Sequence, residues 1–200
     1  MHTRRHAASV ALGIGLLLVP VLMAAPSRSL VPAFERKLDD ISKRGPRAPG
    51  GPAVRTIVSQ DEVNSWLLYG SPAEVPEGVA EPQLTFEGQD RVTGRAVVDL
   101  DAVSRSRSSG GLFDPWSLVG GRLPVTTSGV LRTGGGQARF EVERADIAGI
   151  PVPASMLFEI VAFYTRSPEN PGGTQLGRPF DLPSSIERIQ IERARAIVVQ

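Results

Sequence analysis

Beyond Ala53 the chain has no histidine, cysteine or lysine. His2 and His6 stand at its start, and Lys37 and Lys43 are the only lysines. A Ser–His–Asp triad and a cysteine nucleophile are therefore excluded from the main body, and a Ser–Lys pair would need a lysine from outside it. Zinc sites built from His or Cys are excluded as well. Few reactive patterns remain. Glu141 and Glu143 could share acid–base work, but they alternate with Phe140 and Val142, which puts them on the wet face of a strand. Asp99 and Asp101 have the spacing of part of a calcium loop. No Gly and Glu follow to complete it, so no metal is assigned. Arg105-Ser106-Arg107-Ser108-Ser109-Gly110-Gly111 could offer guanidinium groups to an anionic head group. It lacks the strand–Gly-loop–helix setting of a nucleotide site, and a solvated loop is the simpler reading. Trp66 and Trp116 have no basic stripe beside them, so they read as packing anchors rather than base-stacking platforms. No enzymatic activity and no cofactor are expected.

What remains is burial. Between Ala154 and Thr165 the side chains of Met156, Leu157, Ile160, Val161, Phe163 and Tyr164 leave little but Glu159 polar. A helix apolar on nearly every side is deeply buried or lines an apolar chamber. With Val98, Phe140 and Val142 facing it from strands, these nine residues are the candidate ligand-binding set. The simpler alternative is that helix and sheet fill one another as a core. Gly94 and Gly129 fall inside strands, where glycine marks a bend or a close approach that would help a sheet curl around a cavity.

The elements that must position these residues can be read along the chain. Leu30, Phe34, Leu38 and Ile41 recur at helical spacing over Leu30–Ser42. A Pro/Gly-rich linker follows to Pro52. Val54 to Val58 reads as a strand. Ser59-Gln60-Asp61-Glu62 is a capping box that starts a helix with Val63, Trp66 and Leu67 on one apolar face, ended by Gly70. Two hairpins follow. The first joins a strand from Val79 to one over Val92–Leu100, turning at Gly88-Gln89-Asp90-Arg91. The second joins Arg122–Thr133 to Gln137–Ile147 through Gly134-Gly135-Gly136. Asp101–Ser109 and Asp114-Pro115-Trp116 each suggest a short helical turn. Ile186–Glu192 and Ala196–Val199 form a final strand pair. The expected fold is α+β: a twisted, mainly antiparallel sheet wrapped around or packed on one long apolar helix, with a short capped helix and an N-terminal arm.

The N-terminus reads as an export signal. Arg4 and Arg5 precede an apolar run from Val10 to Ala25, with small residues at Ala25 and Ser27. The run is short against the ~20 residues of a bilayer span, so a cleaved signal is favoured over a retained anchor. The expected organisation is residues 1–27 as signal or anchor, 28–52 as amphipathic helix and linker, and 53–200 as a single domain. An exported chain without cysteine is held by its core alone. The formal charge is +1, and loss of Arg4 and Arg5 lowers it by two to −1, so nothing drives it toward nucleic acid. The N-terminal segment offers membrane association. In the scaffold alternative the Leu30–Ser42 helix and linker would tether the protein or bind a partner, whose identity the sequence does not give.

The order of elements, with Glu62-Val63-Asn64-Ser65-Trp66-Leu67, Gly121-Arg122-Leu123-Pro124-Val125 and Gly149-Ile150-Pro151-Val152-Pro153, resembles small bacterial envelope proteins of TULIP-like (tubular lipid-binding) type. The resemblance covers most of Val54 to Gln200. It implies a sheet wrapped on a helix and a lipid held inside, in the periplasm or on the outer side of the inner membrane. It carries over no individual binding residue, because such families bind through a general apolar lining. Two functions follow as expectations: an exported binder of a lipid or other apolar molecule, or an envelope scaffold with a filled core. Removing everything before Ala53 should abolish scaffolding and spare ligand capture.

Overall fold

A computed structural model describes residues 25–48, 50–70, 75–105, 120–168 and 170–200. The expected export signal up to residue 24, the basic stretch from Ser106 to Gly111 and the turn at Trp116 lie outside the described residues.

The fold is α+β with antiparallel sheets and short helices. A 3-10 turn, Arg28–Leu30, leads into α1, Val31–Lys43. After the linker come β1, Arg55–Ser59, and α2, Gln60–Tyr69. The first hairpin is β2, Val79–Gly88, and β3, Arg91–Asp99, followed by α3, Leu100–Arg105. The second is β4, Arg122–Gly134, and β5, Gln137–Ile147. Then come β6, Ile150–Pro151, α4, Ala154–Tyr164, β7, Phe180–Asp181, β8, Arg188–Glu192, and β9, Arg195–Val199.

The strands form two sheets where one was expected. The larger runs β2-β3-β4-β5-β6, with β7 also on β5, and the smaller runs β1-β9-β8. β1 therefore pairs with the far end of the chain, Ile57 opposite Ile197. Periodicity gives each strand its faces but says nothing of its neighbour. Both long hairpins close through two residues with positive φ, Gln89 and Asp90 in one and Gly135 and Gly136 in the other. That geometry matches the right-handed twist of the flanking strands.

On the larger sheet one face is apolar. Cross-strand register brings Phe86 opposite Val92, Leu84 opposite Gly94, Gly94 opposite Thr127, and Leu131 opposite Phe140. The other face carries charge: Glu141 pairs with Arg132 at 3.3 Å, and Glu143 pairs with Arg91. A bulge between Ser128 and Gly129 shifts the β4–β5 register. There the β5 backbone comes so close that a Cβ on Gly129 would sit 2.3 Å from the Glu141 carbonyl oxygen. Beyond the bulge Ala145 and Ile147 return to the buried side.

The apolar helix α4 has 11 residues, about 16 Å at 1.5 Å per residue. It is well short of β4, whose 13 residues extend about 43 Å. A helix running the length of the sheet is not what forms. The α4 residues Met156, Leu157 and Ile160 pack with Val98, Leu100, Val103 and Val125 into a buried cluster at one end of the sheet.

The α2 helix departs most from its expected amphipathicity. Its most buried residues are polar: Gln60, Glu62, Asn64 and Ser65. Val63, Trp66 and Leu67 are only half buried. The reason lies in β2, the edge strand. Asn64 Nδ2 donates to the Leu84 carbonyl at 2.8 Å, and the Leu84 N–H donates to Asn64 Oδ1 at 2.7 Å. One turn earlier, the Phe86 N–H donates to Gln60 Oε1 at 2.7 Å. Two side chains on consecutive turns thus stand in for a missing strand and close the edge. Asn64→Ala leaves both Leu84 groups without partners in a partly buried setting. It should lower the unfolding free energy by about 2 kcal/mol, seen in urea as a lower midpoint at unchanged m-value. A loss below about 0.5 kcal/mol would mean that water or a shifted α2 replaces the amide.

Candidate functional site

The two sheets share no strand but meet at the hairpin tips. Asp90 is the joint. Its N–H donates to the Ile191 carbonyl at 3.1 Å, its carbonyl accepts from the Leu131 N–H at 2.8 Å, and its carboxylate accepts from the Ile191 N–H at 2.8 Å. Thr133 makes a second tie: its hydroxyl donates to the Ile189 carbonyl at 2.7 Å and accepts from the Ile189 N–H at 3.0 Å. Ala194 donates to the Phe86 carbonyl, and Gly136 to that of Glu187. The apolar faces of the two sheets therefore converge from a shared seam.

Between them lies a cavity of about 710 Å³. The larger sheet contributes Leu84, Phe86, Val92, Leu131 and Phe140. The smaller contributes Val58, Ile189, Ile191, Ala196 and Val198. The 174–184 loop adds Leu176 and Phe180. Its fourth wall is α1, through Phe34, Leu38 and Ile41. Among the described residues its only side chains with polar atoms are hydroxyls, from Ser42, Thr127, Thr174 and Ser184, and no charged residue lines it. Leu38 is 36% and Phe180 42% exposed, so these two lining residues stand at the mouth. A smaller cavity of about 330 Å³ lies toward α4 and is lined by Val98, Val125, Leu157, Ile160, Val161 and Tyr164 among others. Both sizes fall in the range of small-molecule pockets, ~300–1,000 Å³.

Six of the nine sequence-derived candidates reach these spaces. Val98, Leu157, Ile160, Val161 and Tyr164 line the smaller cavity, and Phe140 the larger. Three do not line either. Met156 is buried in the cluster around Leu100, while Val142 and Phe163 are half buried against it. Phe163 spends its ring on an edge-to-face contact with Tyr164, centroids 5.0 Å apart. The Tyr164 hydroxyl donates to the Asp99 backbone carbonyl, tying α4 to the end of β3. Burial pushes the Tyr164 phenol up, the Asp99 carboxylate pushes it further, and Arg105 opposes both. The Asp99–Asp101 pair is engaged locally: Asp101 Oδ1 accepts from the Gly121 N–H at 2.7 Å, and Asp99 Oδ1 from the Asp101 N–H at 3.1 Å. Among the described residues no cluster of His, Cys, Asp and Glu is arranged to hold a metal. Trp66 packs edge-to-face on Phe34, centroids 5.7 Å apart.

The lining contributed by α1 and the small sheet is absent from the sequence-derived set. The signals were present: the Phe34, Leu38, Ile41 stripe, and the alternation of Ile189 with Ile191 and of Ala196 with Val198. Nothing local says that these faces turn toward the large sheet. The docking of α1 is specific at both ends. The Ser27 N–H donates to the fully buried Ser65 hydroxyl at 2.9 Å, and Arg28 lies 4.8 Å over the Tyr69 ring. At the far end Gln200 Nε2 donates to the Ile41 carbonyl at 2.9 Å, and Arg44 donates to Gln200 Oε1 at 2.8 Å. In the middle Lys37 Nζ reaches both Glu62 oxygens, at 2.7 and 2.8 Å. The same carboxylate accepts from the Ser59 N–H at 2.8 Å, completing the capping box.

Burial pushes the Glu62 carboxyl up. The hydrogen bonds from Lys37 and from the Ser59 N–H and hydroxyl, together with the Lys37 charge, outweigh it and hold the group below its ordinary value. The stabilisation is therefore present above the unfolded value of 4.5 and is lost as pH falls through the depressed folded value. Glu62→Gln should lower unfolding free energy at pH 7 by about 1–2 kcal/mol, a hydrogen-bonded ion pair discounted for the solvent around Lys37. In urea titrations the two curves should converge in acid. A gap that stays constant or widens in acid would remove the ion pair as the cause.

No family model matches the chain, and no curated protein or solved structure matches it.

Proposed function

We propose that this is an exported, non-enzymatic domain of the cell envelope that binds a lipid or other apolar ligand between its two sheets. The observation that carries the reading is the 710 Å³ cavity whose lining contains no charged residue. A space of this size, floored by leucine, isoleucine, valine and phenylalanine, rewards an apolar occupant by ~25 cal/mol for each Å² withdrawn from water. Its hydroxyls are too few and too scattered to orient a polar metabolite. In this reading α4 and the apolar face of the large sheet hold one end of the ligand, and the small sheet and α1 hold the other. The TULIP-like resemblance of Glu62–Leu67 and Gly149–Pro153 belongs to the same proposal. So does export, which rests on Arg4, Arg5 and the apolar run Val10–Ala25. Among the described residues no helix is long and apolar enough to cross a membrane.

A scaffold with a filled core is the second reading, and the solid cluster around Leu100, 0% exposed, favours it at the α4 end of the sheet. The position of α1 changes how the two are separated. Because Phe34, Leu38 and Ile41 form one wall of the cavity, removal of everything before Ala53 strips that wall. Ligand capture should weaken with it rather than survive.

Native mass spectrometry of the purified full chain tests the proposal. The expected result is a mass adduct that extracts into organic solvent as a lipid, or uptake of an added fatty acid at micromolar concentration. A bare protein that takes up none of a panel of fatty acids and phospholipids would overturn it and leave the scaffold.

A further inference from the structure

Resting on that reading, we infer that the two cavities are lobes of one bore and that Gly94 is the gauge that lets a single long acyl chain run through both. The cavities share three lining residues, Leu84, Gly94 and Thr127. These lie side by side across three strands, Leu84 opposite Gly94 and Gly94 opposite Thr127. They form a neck, and its central residue has no side chain. A Cβ built on Gly94 would lie 3.5 Å from Leu84 Cδ2 and 3.7 Å from Thr127 Cγ2, ordinary contact on both sides. A larger side chain would therefore have to extend past these two neighbours, off the sheet face and into the place where the two lobes adjoin.

The backbone does not demand this glycine. Gly94 is not among the glycines with positive φ, and it pairs in unbroken register with Thr127 on β4. Elsewhere in the same sheet Gly129 has a packing reason, since a Cβ there would strike the β5 backbone. At Gly94 a Cβ would meet only side-chain atoms, at ordinary contact distance. Glycine inside a strand forfeits packing and weakens it, so its presence where the two apolar spaces adjoin has a use.

The dimensions favour one long chain. Val92 lines the large lobe and Val98 the small one. Along β3 they are about 20 Å apart, at a rise of roughly 3.3 Å per residue. A bilayer core ~30 Å thick is two leaflets of chains, so one membrane acyl chain spans about 15 Å. The two lobes together are long enough for a chain of that length, entering past Leu38 and Phe180, to lie extended along β3 rather than coil within the large lobe. With no charge in the large lobe, the polar head stays at the mouth.

The test is a chain-length series. Saturated fatty acids from octanoate to stearate are titrated against the full-length wild type, Gly94→Val and Thr127→Leu, the last two plugging the neck from neighbouring strands. Thr126→Val, on the opposite face of β4, is the control. For the wild type and the control, affinity should rise by roughly fourfold per added methylene through the whole series. For both plugged variants the rise should stop once the chain reaches the neck. A folded plugged variant that keeps the wild-type profile overturns the gauge while leaving the binding function intact. A wild type that binds no acid at all overturns both. Circular dichroism identifies a variant that fails to fold, and the other variant then decides.

Discussion

An edge strand that ends inside a protein carries backbone groups that must find partners, and the architecture turns on how this chain supplies them. Two sheets meet without sharing a strand. If their seam left N–H and carbonyl groups bare, water would follow them inward and the space between the sheets would be wet. Asp90 and Thr133 close the seam, and Gln60 and Asn64 close the outer edge of β2. Among the described residues no buried side-chain nitrogen or oxygen lacks a partner. With the polar demands met at the margins, the facing surfaces can be wholly apolar.

That arrangement also explains why α2 is polar where it is most buried. A helix laid on a sheet face would need an apolar stripe. A helix laid along a sheet edge needs hydrogen-bonding side chains on consecutive turns, and Gln60 and Asn64 are four residues apart, on one side of the helix. Glu62 points from the same helix toward Lys37 and recruits α1. One ten-residue helix thus seals an edge, caps its own start and anchors the roof of the cavity. Stability and cavity shape are coupled through it, since any shift of α2 moves both β2 and α1.

The cavity sits between regions of different character. Toward α4 the packing is dense around Leu100 and Val103, with the smaller cavity beside it. Toward α1 the walls stand apart. The α4 end gives the sheet its foundation, and the open end lies beneath an amphipathic helix held by polar contacts at Ser65, Glu62 and Gln200 and by Phe34 and Ile41 packed on Trp66, Ile186 and Val198.

Local chemistry was decisive where it acts over a few residues. The Ser59–Glu62 capping box, the Gly70 stop, the two hairpin turns and the strand faces of β3 and β5 follow from spacing and composition, because a cap, a turn or an alternation is complete within one short segment. The exclusion of histidine and cysteine chemistry is likewise a property of residue types alone. The pairing of β1 with β9, the split into two sheets and the turning of α1 onto the domain were set by contacts between residues far apart in the chain, such as Ile41 with Gln200, for which no short pattern is diagnostic. Hence Leu157, Ile160 and Phe140 could be named as lining from their apolar setting, while Phe34, Ile191 and Val198 could not: hydrophobicity tells a side chain to leave water, and only the assembled fold decides whether it meets a neighbour or an open space.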